Sequence, residues 1–281
     1  MTHEDAFLAD IIEHPDDDSL RLIYADFLDE RGDPRGEFIR TQIELARLPD
    51  NPGSSSRRLE LEARERALLE EHEQQWLGRV GDWVCVWSFH RGFLASITIK
   101  LQPLLAISAK PGEDDWFGRG AAAVREMKIL DAVADFDALC RSPHLARLTS
   151  LSLRENQLSD RHVQALAGSP HLGSLTRLDL GKNRIGWAGV KALAESVRLP
   201  RLTMLDLSEN AIDDLDLLMM ARCTGLPSLA VLDVSVNPVH FPDSVSTLLS
   251  RLEVVKVSGA GYSEEEREVL LTRFGDRVRF S

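Results

Sequence analysis

The pattern of apolar and polar positions changes character once along this chain. Between residues 148 and 239 apolar positions recur in one repeating order. "LTSLSLRENQL" begins at Leu148, "LTRLDLGKNRI" at Leu175, "LTMLDLSENAI" at Leu202 and "LAVLDVSVNPV" at Leu229, a spacing of 27 residues each time. Asn156, Asn183, Asn210 and Asn237 keep the same interval. Within each copy the alternation x-L-x-L predicts a short strand whose leucines point one way and whose intervening residues point the other. The stretches between, "SDRHVQALAGSP" and "GWAGVKALAES", carry Val163, Leu166 and Ala167, then Val190, Leu193 and Ala194, at helical spacing. Weaker copies run both ways: Leu94, Ile97 and Ile99; Val124, Met127 and Ile129; Leu252, Val255 and Val257. Seven strands are therefore expected. After them Ser263 with Glu266 reads as a capping box. The helix so begun carries Val269, Leu270 and Phe274, and "DRVRF" is a candidate edge strand.

The first 80 residues lack this rhythm. Phe7, Leu8, Ile11 and Ile12 make one helical stripe, and Leu20, Ile23, Phe27 and Leu28 a second, ended by Gly32. Asp33 and Pro34 suit the start of a third helix carrying Phe38, Ile39, Ile43 and Leu45. A polar loop, "PDNPGSSSR", precedes a long helix with alternating charges, "RRLELEARERALLEEHEQQWLG".

The order L-x-x-L-x-L-x-x-N-x-L resembles that of leucine-rich repeats. A period of 27 with a full helix resembles their ribonuclease-inhibitor-like class. The resemblance implies an α/β solenoid, a horseshoe with parallel strands inside and helices outside, preceded by a small all-α domain. One repeat alone cannot bury its leucines, so the copies must stack, and the asparagines are expected to bond backbone where the chain leaves each strand. Expected boundaries are a helical domain over 1–80, the solenoid over 81–262 and a cap over 263–281. The phrase "LIYADFLDERGDPRGEFIR" resembles a short domain found ahead of repeats in planctomycete-type bacterial proteins, the repeat-companion domain. That likeness covers roughly residues 3–48 and implies architecture and a bacterial source, without an activity.

Charge narrows the partners. The formal net charge is −12, and the first forty residues hold twelve Asp or Glu against four Arg. Such a surface opposes direct nucleic-acid binding, which needs clustered Lys and Arg, and favours a protein partner with a basic patch. The opening residues lack a basic segment followed by an apolar one, so no secretory signal is expected. No apolar run approaches the roughly 20 residues that span a bilayer. Three scattered cysteines, Cys85, Cys140 and Cys223, read as reduced thiols, consistent with a cytoplasmic chain.

Three places are candidates for function. On the strands, Asp179, Asp206 and Asp233 fall in one outward column with Ser152 and Lys256 at its ends; Thr149, Thr176 and Thr203, then Arg177 and Met204, lie beside it, and Arg154 one step beyond. Carboxylates about 4.8 Å apart repel unless a cation sits over them. Concave solenoid faces are habitual binding surfaces, so these positions are the expected partner contacts of a non-catalytic interaction module or scaffold. Second, the loop "AKPGEDDWFGRG" offers Trp116 and Phe117 as an anchor through which the chain would join a larger assembly. Third, Asp26, Asp29, Glu30, Asp33 and Glu37 crowd one stretch. They are read as a polar network pinning two helices, with Arg31, Arg35 and Arg40 at hand; the alternative is a metal-dependent or acid/base enzyme in the acidic N-terminal domain. Asp16–Asp18 lack the glycine and glutamate spacing of a calcium loop and suit a helix start. No nucleophile elbow, phosphate-binding loop, dinucleotide fingerprint or zinc spacing is present, so neither cofactor nor catalysis is expected. His144 and His171 share a repeat position and read as structural, and Trp187, on the outer side where a helix begins, reads as a core or helix-packing residue in preference to a ligand stack.

Overall fold

A computed structural model describes residues 3–49, 55–108, 123–222, 224–240 and 242–281. It divides into two units, one of residues 1–99 with 106–125, the other of 100–105 with 126–281. Trp116 and Phe117 lie outside the described residues.

In the first unit the expected helices form: α1 (His3–Glu13), α2 (Asp18–Asp29), α3 (Arg35–Arg47) and α4 (Ser55–Leu77). Leu8, Ile11, Tyr24, Ala25, Leu28, Ile39, Ile43 and Phe93 make one buried cluster, and Phe38, Leu68 and Trp76 another. Ile23 departs from its expected stripe and is 51% exposed, because the buried face of α2 runs instead through Arg21, Tyr24, Ala25 and Leu28.

This unit does not stop at residue 80. An antiparallel hairpin, β1 (Val84–His90) with β2 (Phe93–Lys100), belongs to it, and of the pair only β2 was expected. Its turn is Arg91-Gly92, both at positive φ (52° and 85°), the two-residue turn whose twist suits a hairpin. Arginine in the first of those positions conceals the turn from a search for Asn-Gly or Asp-Gly. Phe89 packs against the Phe38–Trp76 cluster and Phe93 joins the other, which is why the hairpin goes with the helices.

The second unit holds the repeats. The chain enters it at Lys100 and begins α5 (Leu101–Ser108), then returns in β3 (Glu126–Leu130). There follow α6 (Phe136–Arg141), β4 (Ser150–Ser152), α7 (Asp160–Ala167), β5 (Arg177–Asp179), α8 (Trp187–Ala194), β6 (Met204–Asp206) and α9 (Asp214–Ala221). The array ends with β7 (Val231–Asp233), α10 (Pro242–Leu249), β8 (Val254–Val257), α11 (Glu264–Phe274) and β9 (Val278–Phe280). Strands β3 to β9 are parallel, each hydrogen-bonded to the next in sequence order. The register places Met127, Leu151, Leu178, Leu205, Leu232, Val255 and Val278 side by side, every one buried. A second buried column, Leu153, Leu180, Leu207, Val234 and Val257, runs beside it. At about 25 cal/mol per Å² of apolar surface removed from water, these columns are the chief reason the repeats cohere.

Capping closes the array as its sequence implies. Ser263 accepts from the backbone N–H of Glu266 at 3.2 Å, Glu266 accepts from that of Ser263 at 2.8 Å, and β9 pairs with β8 as the edge strand. Within α11, Leu270 is buried whereas Val269 is 56% exposed.

Where strands β4 to β7 turn toward their helices, a non-glycine residue takes the left-handed conformation at the same repeat position: Glu155, Lys182, Glu209 and Val236, at φ of 61°, 53°, 54° and 55°; Asp131 after β3 and Gln157 in the first of these turns do so too, at 55° and 56°. A β-branched side chain is poorly suited there, and Val236 is mostly exposed, so little packing offsets the strain. Val236→Asn is therefore expected to raise the unfolding free energy by about 1 kcal/mol, read as an upward shift in the denaturant midpoint. Gly92→Ala is expected to lose about 3 kcal/mol or more, since a β-carbon at that positive φ would stand 2.1 Å from Ile39 Cγ1.

Candidate functional site

The asparagine ladder sets the spacing of everything on the sheet. Asn183 Oδ1 accepts from the backbone N–H of Asn156 (3.1 Å) and Leu158 (2.9 Å) in the preceding repeat. Its Nδ2 donates to the carbonyls of Leu153 (3.1 Å), Leu180 (2.8 Å) and Gly181 (3.1 Å). Asn237 does the same one repeat on from Asn210, accepting from Asn210 N and Ile212 N and donating to Leu207, Val234 and Ser235. Asn210 accepts from Ile185 N at 3.0 Å, and Asn156 from Ala132 N at 2.8 Å. Each amide thus ties a repeat to the one before it while satisfying carbonyls of both. Thr176 and Thr203 make a second ladder, donating to the carbonyls of Thr149 (2.9 Å) and Thr176 (3.0 Å).

The outward column follows from this register. Lys128, Ser152, Asp179, Asp206, Asp233, Lys256 and Arg279 stand opposite one another strand by strand. The aspartates are not bare. Asp179 accepts from Gly181 N (2.9 Å) and Ser152 Oγ (2.8 Å), Asp206 from Ser208 N (2.8 Å), and Asp233 from Ser235 N (3.0 Å) and the Ser235 hydroxyl.

The cation that such a column requires is Arg154. Its guanidinium reaches across Gly181 and lies 3.9 Å from Asp179 Oδ1 and 3.7 Å from Asp206 Oδ2. It also donates to Ser208 Oγ (3.0 Å) and pairs with Glu209. Gly181 permits this, because a β-carbon there would stand 2.0 Å from Arg154 Nη1. Lys256 pairs with Asp233 at 3.1 Å. One guanidinium is thus shared by three carboxylates, so negative charge is concentrated at the middle of the column, while Lys128, Lys256 and Arg279 stand toward its ends. Burial, with the neighbouring charges of Asp233 and Asp179, pushes the Asp206 carboxyl above its usual range, against the bonds from Ser208. Arg177 is exposed on the adjoining column and Met204 is 37% exposed beside it, so both offer contact area.

Of the five clustered carboxylates, Asp26, Asp29, Asp33 and Glu37 are spent on pairing or capping helices, and Glu30, just after α2, is exposed. Arg40 of α3 pairs with both Asp26 and Asp29 of α2, the latter at 2.5 Å. Glu37 takes Arg64 of α4 in a two-pronged bond, 2.5 Å on each side, and Glu44 takes Arg57 at 2.7 and 2.9 Å. These arginines hold Glu37 and Glu44 below the ordinary carboxylate range. Asp33 caps α3 by accepting from Arg35 N at 2.9 Å, and Asp17 caps α2 from Ser19 N at 2.8 Å. Of the other arginines, Arg31 lies over the Phe27 ring at 3.5 Å and Arg35 over Phe93 at 5.2 Å.

The rest of the phrase is packing too. Gly36 lets α3 approach α2, since a β-carbon there would stand 2.7 Å from the Ala25 carbonyl oxygen. The Tyr24 hydroxyl donates to Glu4 at 3.0 Å, and Gln42 holds the hairpin by accepting from Gly92 N at 2.6 Å. Among the described residues no three His, Cys, Asp or Glu side chains converge as metal ligands.

Two positions missed by sequence reasoning change the picture. Trp187 is not a packing residue: it is 52% exposed at the start of α8, because Gly189, Val190, Leu193 and Ala194 form that helix's buried face. It lines an outer groove of about 660 Å³ with residues of α9. His162 is the third residue of the α7 capping box, its Nδ1 accepting from Ser159 N at 2.9 Å, and its ring meets Phe136 edge-on at 5.3 Å. Glutamate or glutamine is the usual residue in that place, which is why the histidine gave no signal.

A family model described as leucine-rich repeat matches residues 171–194. No curated protein matches the sequence. Among solved structures, an internalin of Listeria monocytogenes is 19% identical over 57% of this chain and 55% of that one, with a TM-score of 0.35. This chain therefore spans about half the length of that internalin. The repeats, their parallel strands and the helices between them make the second unit a leucine-rich-repeat solenoid. No helix of the described residues is long and apolar enough to cross a membrane.

Burial first, and the Arg161 charge second, hold the His162 imidazole below its ordinary value; burial and Arg147 do the same for His144. The unfolded chain therefore takes up protons first, and stability falls as pH drops below about 6.5. The thermal midpoint is expected to decline between pH 7 and pH 5.5, and less steeply in His162→Asn. Asn210→Ala is expected to cost about 3 kcal/mol, because it strips partners from several half-buried backbone groups at once; chemical denaturation measures this.

Proposed function

We infer that this chain is a non-catalytic protein-interaction module, a cytoplasmic bacterial adaptor or scaffold whose strand face takes up a protein carrying a basic patch. The observation that carries the reading is the in-register column of Asp179, Asp206 and Asp233, whose charge Arg154 and Lys256 offset only in part. The contacts would be Arg154, Arg177, Asp179, Met204, Asp206, Asp233 and Lys256. A solenoid keeps its core on one side of its strands, so side chains on the other side are free to vary with the partner. Leucine-rich repeats in general serve interaction, which agrees. The ribonuclease-inhibitor-like class, with a curved inner face, and the repeat-companion identity of the first helices belong to this same reading. The Arg-paired carboxylates of α2 and α3 support a scaffolding role for that segment.

The test is affinity capture from the native lysate, with wild-type bait beside a variant carrying Asp179→Asn, Asp206→Asn and Asp233→Asn. Asparagine keeps an oxygen to accept the Gly181, Ser208 and Ser235 N–H groups, so the strand ends survive while the charge goes. A protein held by wild type, lost by the variant and weakened by added salt is the expected outcome. Equal retention by both baits would remove the strand face from the reading.

A further inference from the structure

The helix side of the repeats carries a feature that neither the core nor the strand face explains. Stepping by 27 residues, the outward positions Arg161 and Gln164 of α7 become Ala188 and Lys191 of α8, then Leu215 and Leu218 of α9. The core does not need these leucines, since Leu217 and Met220 already fill the buried face of α9. Leu215 is 66% exposed, and with Trp187, Leu218 and Met219 it lines the groove of about 660 Å³. The other end of the groove is charged. Glu195 ends α8 and Arg222 ends α9, both exposed and both lining the groove. They are 27 residues apart, so one repeat position carries opposite charges on adjacent helices. A helix C-terminus favours a cation, and Glu195 has Lys191 of its own helix at 4.0 Å, the outer limit of ion pairing, to offset its charge.

A groove that is apolar at one end and carries one charge of each sign at the other is complementary to itself. We propose that its occupant is the same groove of a second copy of this chain. Successive repeats place α8 and α9 side by side, running in the same direction. A twofold axis parallel to them and midway between sets α8 of one copy over α9 of the other, and every contact is made twice. Glu195 then meets Arg222 of the second copy, and Arg222 meets its Glu195. At the opposite end Trp187 meets Leu215 of the second copy and Leu215 its Trp187, an indole against an aliphatic side chain, the kind of anchor that contributes most to an interface. A twofold axis across the helices would instead set both charges against apolar side chains, which removes them from water without a partner. The surface is separate from the strand face, and the proposal does not depend on the reading of that face.

The experiment measures self-association of the full chain by sedimentation velocity across a range of concentrations. A monomer–dimer equilibrium is expected with a Kd in the micromolar range, because two short helices a side make a small interface. Leu215→Glu should weaken it about tenfold or more, the scale of losing a central apolar contact. Glu195→Arg and, separately, Arg222→Glu each create two like-charge contacts per dimer and should weaken it several-fold. The double variant Glu195→Arg with Arg222→Glu exchanges the two charges, restores both pairs and should dimerise as wild type does. The three positions are exposed, so all four variants are expected to keep the wild-type circular dichroism and melting temperature, which separates loss of the interface from loss of the fold. A wild type that stays monomeric well above micromolar concentration overturns the proposal. A dimer unchanged by the three single variants overturns it by placing the contact elsewhere, and a double variant no better than the single ones overturns the pairing of Glu195 with Arg222.

Discussion

The structure of the repeat unit depends on satisfying backbone groups at the turn that follows each strand. The strands β4 to β7 are three residues long, too short to hold a sheet through their own ladder bonds alone. Beyond each strand the chain must bend under a layer of leucines, where an unpaired N–H or carbonyl costs 1–3 kcal/mol or so. One asparagine per repeat meets this need, its oxygen taking N–H groups of the preceding turn and its nitrogen giving to carbonyls of both turns. Because the bond partners sit one full repeat apart, the ladder fixes both the interval of 27 residues and the strand register. Leucine burial supplies the drive, while the amides decide which stacking is allowed.

The outward columns are a consequence of that register. Once Leu178, Leu205 and Leu232 are aligned, Asp179, Asp206 and Asp233 have to be aligned too, and their repulsion must be met from somewhere. Arg154 meets it because Gly181 leaves a path over the next strand. A side chain at position 181, the counterpart of Arg154 one repeat on, would meet that guanidinium, so the arginine and the glycine go together. The same logic separates the two surfaces of the unit. On the strand face the departures are charged, and on the helix face, at Trp187 and Leu215, they are apolar.

How much of this was legible in the sequence follows from how many residues had to agree. The repeat strands were plain, since Leu, Asn and the interval between copies all pointed to one register, and the capped α11 with its edge strand was plain for the same reason. The hairpin strand β1 was hidden, because its signal is a single Arg-Gly turn whose need for positive φ shows only in the backbone. Trp187 was placed on the outer side correctly but taken to be covered by packing, whereas α8 buries Gly189, Val190, Leu193 and Ala194 and leaves the indole half exposed. The aspartate column was foreseeable, but the reach of Arg154 over it was not, since that reach depends on the glycine one repeat later.

The N-terminal phrase shows the converse case, a dense cluster of reactive residue types most of which are engaged in joining helices. A general acid or a metal site needs carboxylates facing one open position. Here Asp26 and Asp29 converge on one arginine, Glu37 and Glu44 are each taken by an arginine of α4, and Asp33 is turned toward a helix start. Surface ion pairs of this sort contribute little apiece, but each joins two different helices, so together they specify how α2, α3 and α4 meet. Gly36 and Gly92 add positions where a methyl group would not fit. A stretch of this density therefore records the tolerance of a packing arrangement, in which charge pairs and glycines together set how three helices meet.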